Sequence, residues 1–430
     1  MASAFAFRLF IWLCLLVLLS ACGREKSAPP ISLVLAGGSG GEEVFARKQL
    51  AAFAALHPDI QVSYQATPSS ASERHTLYVT WLSSGSDAID LLNLDVIWVP
   101  EFAAAGWLQN LEAQISQSRL PLTDFLPVGL AACRYQGRLY ALPWFVDAGL
   151  LYYRTDLYAA AGLPPPRTFA DLLKIASLKD KFNLPYGFLF QGQAYEGLVT
   201  VACEFFWGSG GRIFDESGNL VLDSPQNSEA LQFMVDLIYV HKVSPLAVTA
   251  FLEEDCRHAF EQGSAVAMRN WPYAYVIMNE PGSKVQGKFA LLPPPHGPGG
   301  RSTSAFGGGV LGINAFSRHP RAAWQLLQFL LTPENLKERS LALGMLPPLE
   351  SLYHDSDLLT AFPFLEELRQ VLLSARPRPN SPLYSFISDI LRIHLARALT
   401  RQEEPAAALR LAQAQILQVL QRFSPPGEMP

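Results

Sequence analysis

The chain of 430 residues is 17% charged, below the usual ~25%, and its net charge is −5. Half of its residues are hydrophobic. Such a length is large for one core and predicts two lobes, while the lack of a basic footprint argues against a nucleic-acid partner.

The first segment reads as a targeting signal. Arg8 precedes an unbroken apolar run, Leu9 to Leu19, which leads into Ser20-Ala21-Cys22. The run has the length of a signal-peptide core and is too short for a permanent bilayer span. Leu19-Ser-Ala-Cys22 also resembles a bacterial lipobox, so residues 1–21 are expected to be a lipoprotein signal peptide and Cys22 the lipidated residue. An ordinary secretory signal with a chance cysteine is the alternative. Residues 22–30 are polar and proline-containing and predict a short tether. The expectation is an exported chain held at the cell membrane by a lipid, facing the periplasm or the exterior. Cys133, Cys203 and Cys256 sit in core-like surroundings and show no ligand spacing, so neither a metal nor another cofactor is expected.

In chain order, Ile31 to Leu35 predicts a strand ending in Gly37-Gly-Ser-Gly-Gly41, followed by a helix from Glu42 to about His57. The glycine loop lacks the lysine of a phosphate cradle and the spacing of a dinucleotide site, and Glu42 and Glu43 at its mouth would repel phosphate. Ile60 to Gln65 is the next strand, and Ser70-Ala-Ser-Glu73 predicts a capping box opening a helix to about Leu82. Leu91 to Trp98 reads as a buried strand interrupted by Asn93 and Asp95. Strands alternating with helices call for an α/β fold. Further on, capped helices are expected at Thr168, Ser224-Pro225 and Thr332-Pro, a hairpin turn at Asp215-Glu-Ser-Gly-Asn219, and a strand from Ala265 into Asn270-Trp-Pro-Tyr273. Beyond Asp357 the chain reads as helical, broken at Pro377-Arg-Pro-Asn-Ser-Pro382.

One stretch organises the rest. Leu139-Tyr-Ala-Leu-Pro-Trp-Phe-Val-Asp147-Ala-Gly-Leu-Leu-Tyr-Tyr-Arg154 is apolar and aromatic around a single carboxylate. Pro143 is expected to break the strand, which restarts after Gly149 as the chain crosses between lobes. Leu292-Pro-Pro-Pro-His-Gly-Pro-Gly-Gly300 predicts a second crossing. A buried strand with one ion-paired acid is the plainer reading of the first stretch. Four places nevertheless put a charge or an aromatic ring where the pattern breaks: Glu42, Asp95, Asp147, and Trp271 with Tyr273. That mixture suits sugar, whose C–H face stacks on a ring while carboxylates accept adjacent hydroxyls. Carboxylates facing across a cleft could instead be the acid and nucleophile of a glycoside hydrolase, which is the rival reading.

The chain resembles extracellular solute-binding proteins of bacterial ABC sugar importers, in the trehalose/maltose-binding branch. The resemblance rests on Leu139…Arg154, Gln191-Gly…Tyr195-Glu-Gly-Leu198, Glu229…Ile238, Arg269-Asn-Trp-Pro-Tyr-Ala274, Gly307-Gly308 and Pro377-Arg-Pro379. It implies an α/β, two-lobed periplasmic-binding-protein fold (type II-like) with hinge-connected lobes and a ligand cleft between them. The lobes would be residues 31–145 with 297–332, and 146–292 with 336–425. It also implies a monomer that delivers a sugar to permease and ATPase subunits in the membrane, and that is not an enzyme. The implied sugar contacts are Glu42, Arg74, Asp95, Asp147, Trp271, Tyr273, Arg378 and Tyr384, with Tyr195 a more distant match. On their own residues, Arg74 would be a solvated helix charge, Arg378 a loop charge and Tyr384 a core aromatic. Where relatives carry a tryptophan after Gly307-Gly308, this chain has Gly309. That departure predicts a subsite without an aromatic floor and, as ligand, a compatible-solute glycoside such as glucosylglycerol, trehalose or sucrose rather than maltodextrin.

Overall fold

The computed structural model describes residues 30–423 apart from residue 119. The leader at 1–21, Cys22 and the tether through residue 29 lie outside the described residues.

Two sheets carry the molecule. The first begins with β1 (Ile31–Gly37), whose Leu33 and Leu35 alternate into the core, and α1 (Gly41–Leu56) follows across the glycine loop. β2 (Ile60–Ala66) pairs parallel to β1 at the sheet edge, burying Ile60 and Tyr64 at every fourth position. After α2 (Ala71–Ser83) comes β3 (Leu91–Asp95), central and buried through Leu94, with Leu92 and Leu94 on one face and Leu91, Asn93 and Asp95 on the other. It is shorter than the expected Leu91–Trp98. Asp95 turns its carboxylate to accept the Ile97 N–H at 3.2 Å, which caps a 3₁₀ turn over Val96–Trp98, and α3 (Val99–Ala104) follows with Pro100 in its first turn.

The organising stretch forms β4 (Ala141–Ala148) and β5 (Leu150–Arg154), one in each sheet. Pro143 does not break β4, contrary to expectation. β4 lies at the sheet edge, where a missing N–H costs no ladder bond, and a bulge leaves Trp144 between Pro143 (opposite Val310) and Phe145 (opposite Gly309). The second sheet is completed by β6 (Tyr186–Leu189), β7 (Ala265–Asn270) and β8 (Phe289–Leu292), in the order β8-β5-β7-β6. The chain then returns to the first sheet as β9 (Phe306–Ile313), antiparallel between β3 and β4, giving the order β2-β1-β3-β9-β4.

Helices cover both sheets. α4 (Phe169–Lys181) opens with the expected capping box between Thr168 and Asp171, and α5 (Glu196–Gly208) is buried along its whole length. Ser224 and Thr332 cap their helices as read from sequence. Ser70 does not: its side chain makes no cap bond to α2, so that capping box is not formed. α6 (Pro333–Leu343) lies against α1, where Gln49 donates to the Asn335 carbonyl at 3.0 Å. Of the closing pair, α7 (Tyr384–Leu399) packs on α5, and α8 (Pro405–Phe423) packs on α7 and on the helix Pro225–Tyr239. Cys133, Cys203 and Cys256 are buried and make no disulfide among the described residues, in keeping with the small-hydrophobe role their neighbours suggested. No helix among the described residues is long and apolar enough to cross a membrane.

Candidate functional site

Both passages between the sheets meet at one point. Gly149 donates its N–H to the Ala305 carbonyl at 3.2 Å, and Ser304 Oγ donates to the Gly149 carbonyl at 2.9 Å. Glu204 of α5 sits beneath them, accepting from the Ala305 N–H at 3.2 Å and from Arg269 Nη2 and Nε at 2.7 and 2.9 Å. A Cβ on residue 149 would overlap Glu204 Oε1 and Arg269 Nη2, so only glycine lets the chain pass over this buried ion pair.

Arg269 is the penultimate residue of β7, two positions before Trp271. Its guanidinium lies 4.0 Å from the Trp271 ring centroid, a cation–π contact that fixes the indole. The Trp271 N–H donates to Asn270 Oδ1 at 2.8 Å and its indole Nε1 to Glu253 Oε1 at 3.4 Å. Tyr195 OH donates to the other Glu253 oxygen at 2.6 Å. Trp271 is therefore a braced platform rather than a loose surface ring.

Trp271 forms one side of a cavity of about 170 Å³ between the sheets. Six of the sequence-predicted residues line it together: Arg74, Asp95, Asp147, Tyr195, Trp271 and Arg378. Arg378, held in its loop by Pro377 and Pro379, is buried and bridges two acids. Its Nη1 lies 2.6 Å from Glu196 Oε1 and its Nη2 3.5 Å from Asp95 Oδ1. Burial opposes that charge, but Asp95 and Glu196 outweigh burial and hold the guanidinium above its usual range. Burial also pushes the Glu196 carboxyl up, against Arg378 and hydrogen bonds donated by Ser388 and Tyr384.

Asp147 differs from the other acids. It is 9% exposed, and its Oδ1 has no hydrogen-bond partner among the described residues. Burial pushes its carboxyl well above the usual carboxylate range; Arg269 pulls it back and Asp95 pushes it further. A buried acceptor without a donor is costly, and a ligand hydroxyl would supply one.

Four predicted residues do not line this cavity. Glu42 stands behind it, its Oε1 accepting from Asn93 Nδ2 at 2.6 Å and paired with Arg339 Nη2 at 3.2 Å. Its other oxygen lies against the glycine loop, 2.5 Å from where a Cβ on Gly38 would stand. Tyr273 points to Glu254, donating at 2.5 Å. Tyr384 is fully buried behind Glu196, to which its OH donates at 2.8 Å. Gly309 opens no vacant subsite: a Cβ there would overlap the Phe145 ring and lie 2.6 Å from Asn93 Oδ1. Phe145, which does line the cavity, already fills the volume that was expected to be empty.

Sequence reasoning missed Phe145, Glu196, Glu253 and Arg339. The first three line the cavity. Arg339 of α6 is buried over the Trp144 ring at 3.6 Å, with two of its nitrogens unbonded. Glu196 stands inside a quoted motif, beside Tyr195. Arg339 left no local signal, because its meaning comes from a strand nearly two hundred positions away.

The profile described as "Bacterial extracellular solute-binding protein" matches residues 37–337. A probable ABC transporter-binding protein of Deinococcus radiodurans is 32% identical over 371 residues, covering 82% of this chain and 85% of that protein. A maltotriose-binding protein of Pyrococcus abyssi is 26% identical over 335 residues, 77% of this chain and 69% of its own. The solved structure of maltose-bound T. maritima MalE3 superposes with a TM-score of 0.87 at 41% identity, over 91% of this chain and all of that one. A solute-binding protein of Agrobacterium radiobacter in complex with ribitol gives 0.82 at 27% identity, over 90% and 98%.

Proposed function

The chain belongs to the bacterial extracellular solute-binding proteins, and on that premise we propose that it captures a neutral sugar in the cleft between its two lobes and presents it to an ABC importer. The observation that carries this reading is the pairing of a braced indole, Trp271, with a buried, unpartnered carboxylate oxygen on Asp147 in one cavity. A sugar ring stacks on the first and donates a hydroxyl to the second. Arg378, Asp95, Arg74 and Tyr195 complete the contacts; Glu42, Tyr273 and Tyr384 act from behind them through Asn93 and Arg339, Glu254, and Glu196.

Maltose is the first sugar to test, given its presence in the T. maritima structure and the filled volume at Gly309. Trehalose, sucrose and glucosylglycerol follow. The lobes proposed are residues 31–145 with 297–332 and 146–292 with 336–425, closing as a monomer on the ligand, with Cys22 carrying the lipid. Titration calorimetry with these four compounds is the test. Heat from at least one, abolished or strongly reduced in Trp271→Ala, is the expected result; no heat from any would remove the reading.

One observation favours the hydrolase reading. Asp147 is a buried carboxyl whose proton is held up, as a general acid requires. Against it, Asp95 is engaged by Arg378 rather than free to attack. Glycoside hydrolysis that vanishes in Asp147→Asn would establish this alternative.

A further inference from the structure

Away from the cavity, three helices that belong to different sheets meet at one polar point. In the chain α2 and α3 flank β3 of the first sheet, whereas α7 packs on α5, which follows a strand of the second. Glu101 of α3 is the centre of the meeting. His75 Nε2 of α2 lies 2.8 Å from Glu101 Oε2 and 3.2 Å from Ser385 Oγ of α7, and Ser385 donates to the same Glu101 oxygen. The His75 ring is itself held, its centroid 5.5 Å from that of Trp98 and 5.7 Å from that of Phe102. His75 and Glu101 are each 18% exposed, so water screens the carboxylate only in part.

Both sides suit the contact. α7 opens without a side-chain cap, and the free N–H groups and dipole of its first turn favour an anion. Glu101 brings one there from the other sheet, through Ser385. α7 is meanwhile tied to its own side: Tyr384 and Ser388, one helical turn apart, bond to Glu196 of α5, and Arg392 Nη1 donates to the Ala194 carbonyl at 3.3 Å. Ser385 is next along the helix and faces across. Neither Glu101, His75 nor Ser385 lines the ligand cavity, although Arg74, the neighbour of His75, does.

We infer that Glu101, oriented by His75, and Ser385 form a latch between the two halves, made when they close and broken when they open, which sets how long a captured sugar is held without touching the sugar. The inference rests on the sugar-capture reading above. A sugar enters while the latch partners are apart, so the rate of capture does not depend on them. Release must first break the bond. One charge-assisted hydrogen bond at a partly exposed seam slows that step about tenfold. A brace that served the fold alone would instead show as stability of the empty chain.

Stopped-flow tryptophan fluorescence on the whole exported chain, with maltose as the probe, tests this. Ser385→Ala and Glu101→Ala should each speed release about tenfold and leave the association rate within about twofold. Ser385→Thr, which keeps the hydroxyl, should release at nearly the wild-type rate. The double variant Glu101→Ala/Ser385→Ala should release no more than about twice as fast as the faster single one, because both changes break the same bond. Urea midpoints of the empty variants should match wild type. Unchanged release in both single variants, an affinity loss carried by slower association, multiplied effects in the double variant, or a lowered midpoint of the empty Ser385→Ala chain would each overturn the latch while the sugar-capture reading stands. Should wild type give no signal with maltose, trehalose, sucrose and glucosylglycerol take its place, and binding of none overturns both.

Discussion

Asp147→Asn separates stability from binding. The carboxyl is buried and one of its oxygens lacks a donor. Burial raises its folded pKa, opposed by Arg269, above the ~3.9 of an exposed aspartate. A raised folded pKa means that the native chain binds this proton more tightly than the unfolded one. The contribution to stability is then full below about pH 4 and is lost as pH rises through the folded value. Asparagine has the same shape and does not titrate. Its gain over wild type should be near zero at about pH 4 and grow toward neutrality, reaching the ~1–3 kcal/mol that a buried unpaired polar group costs. The same change removes a charge-assisted bond to the ligand, worth about 1.5–3 kcal/mol, or about 10- to 150-fold in affinity. Urea unfolding without ligand from pH 4 to 8, compared between variant and wild type, reads the first effect, and calorimetry the second. A variant less stable than wild type at every pH, or one that keeps full sugar affinity, refutes the reasoning.

Trp271→Ala should leave the fold intact by circular dichroism and weaken sugar binding at least tenfold, since stacking alone contributes ~0.5–1.5 kcal/mol beyond the area buried. Gly149→Ala forces a methyl into the Glu204–Arg269 pair and should cost about 3 kcal/mol in urea unfolding, between simple overpacking and loss of a buried ion pair; an unchanged midpoint would show that the crossing can relax. Cys22→Ala should move the protein from the membrane to the soluble fraction on cell fractionation, and retention in the membrane would remove the anchor proposal. Saturating sugar should compact the chain in small-angle scattering; an unchanged radius of gyration argues against closure.

Much of this was legible because it depends on local order. The crossing at Gly149 could be placed because an apolar stretch held one acid and one glycine, and the caps at Thr168, Ser224 and Thr332 because capping is settled within four residues. The gathering of Arg74, Asp95, Asp147, Trp271 and Arg378 in one cavity came from the family resemblance, since no periodicity connects those positions. The failures share a cause. Pro143 sits in a strand because the sheet ends there, and Gly309 opens no space because Phe145, its partner across β4, leans into it. Both facts concern a neighbour in space, and a single strand read alone contains neither.

The knot of Gly149, Ala305 and Glu204 limits how the molecule can move. Three chain segments meet between the two halves: the crossings at Gly149 and Ala305, and Arg376, whose N–H donates to the Ser304 carbonyl and whose carbonyl accepts the Phe306 N–H, each at 2.8 Å. Each could in principle swing about its own line. Here they are laced to one another by backbone bonds and seated on a single carboxylate, so they turn as one axle. With one axle, opening and shutting reduces to one angle. The same carboxylate grips Arg269, which grips Trp271, so that angle is geared to the proposed ligand platform. Under the proposed closure, whatever tightens the grip on a ligand also sets the relative pose of the two halves, because both are read off the same buried carboxylate.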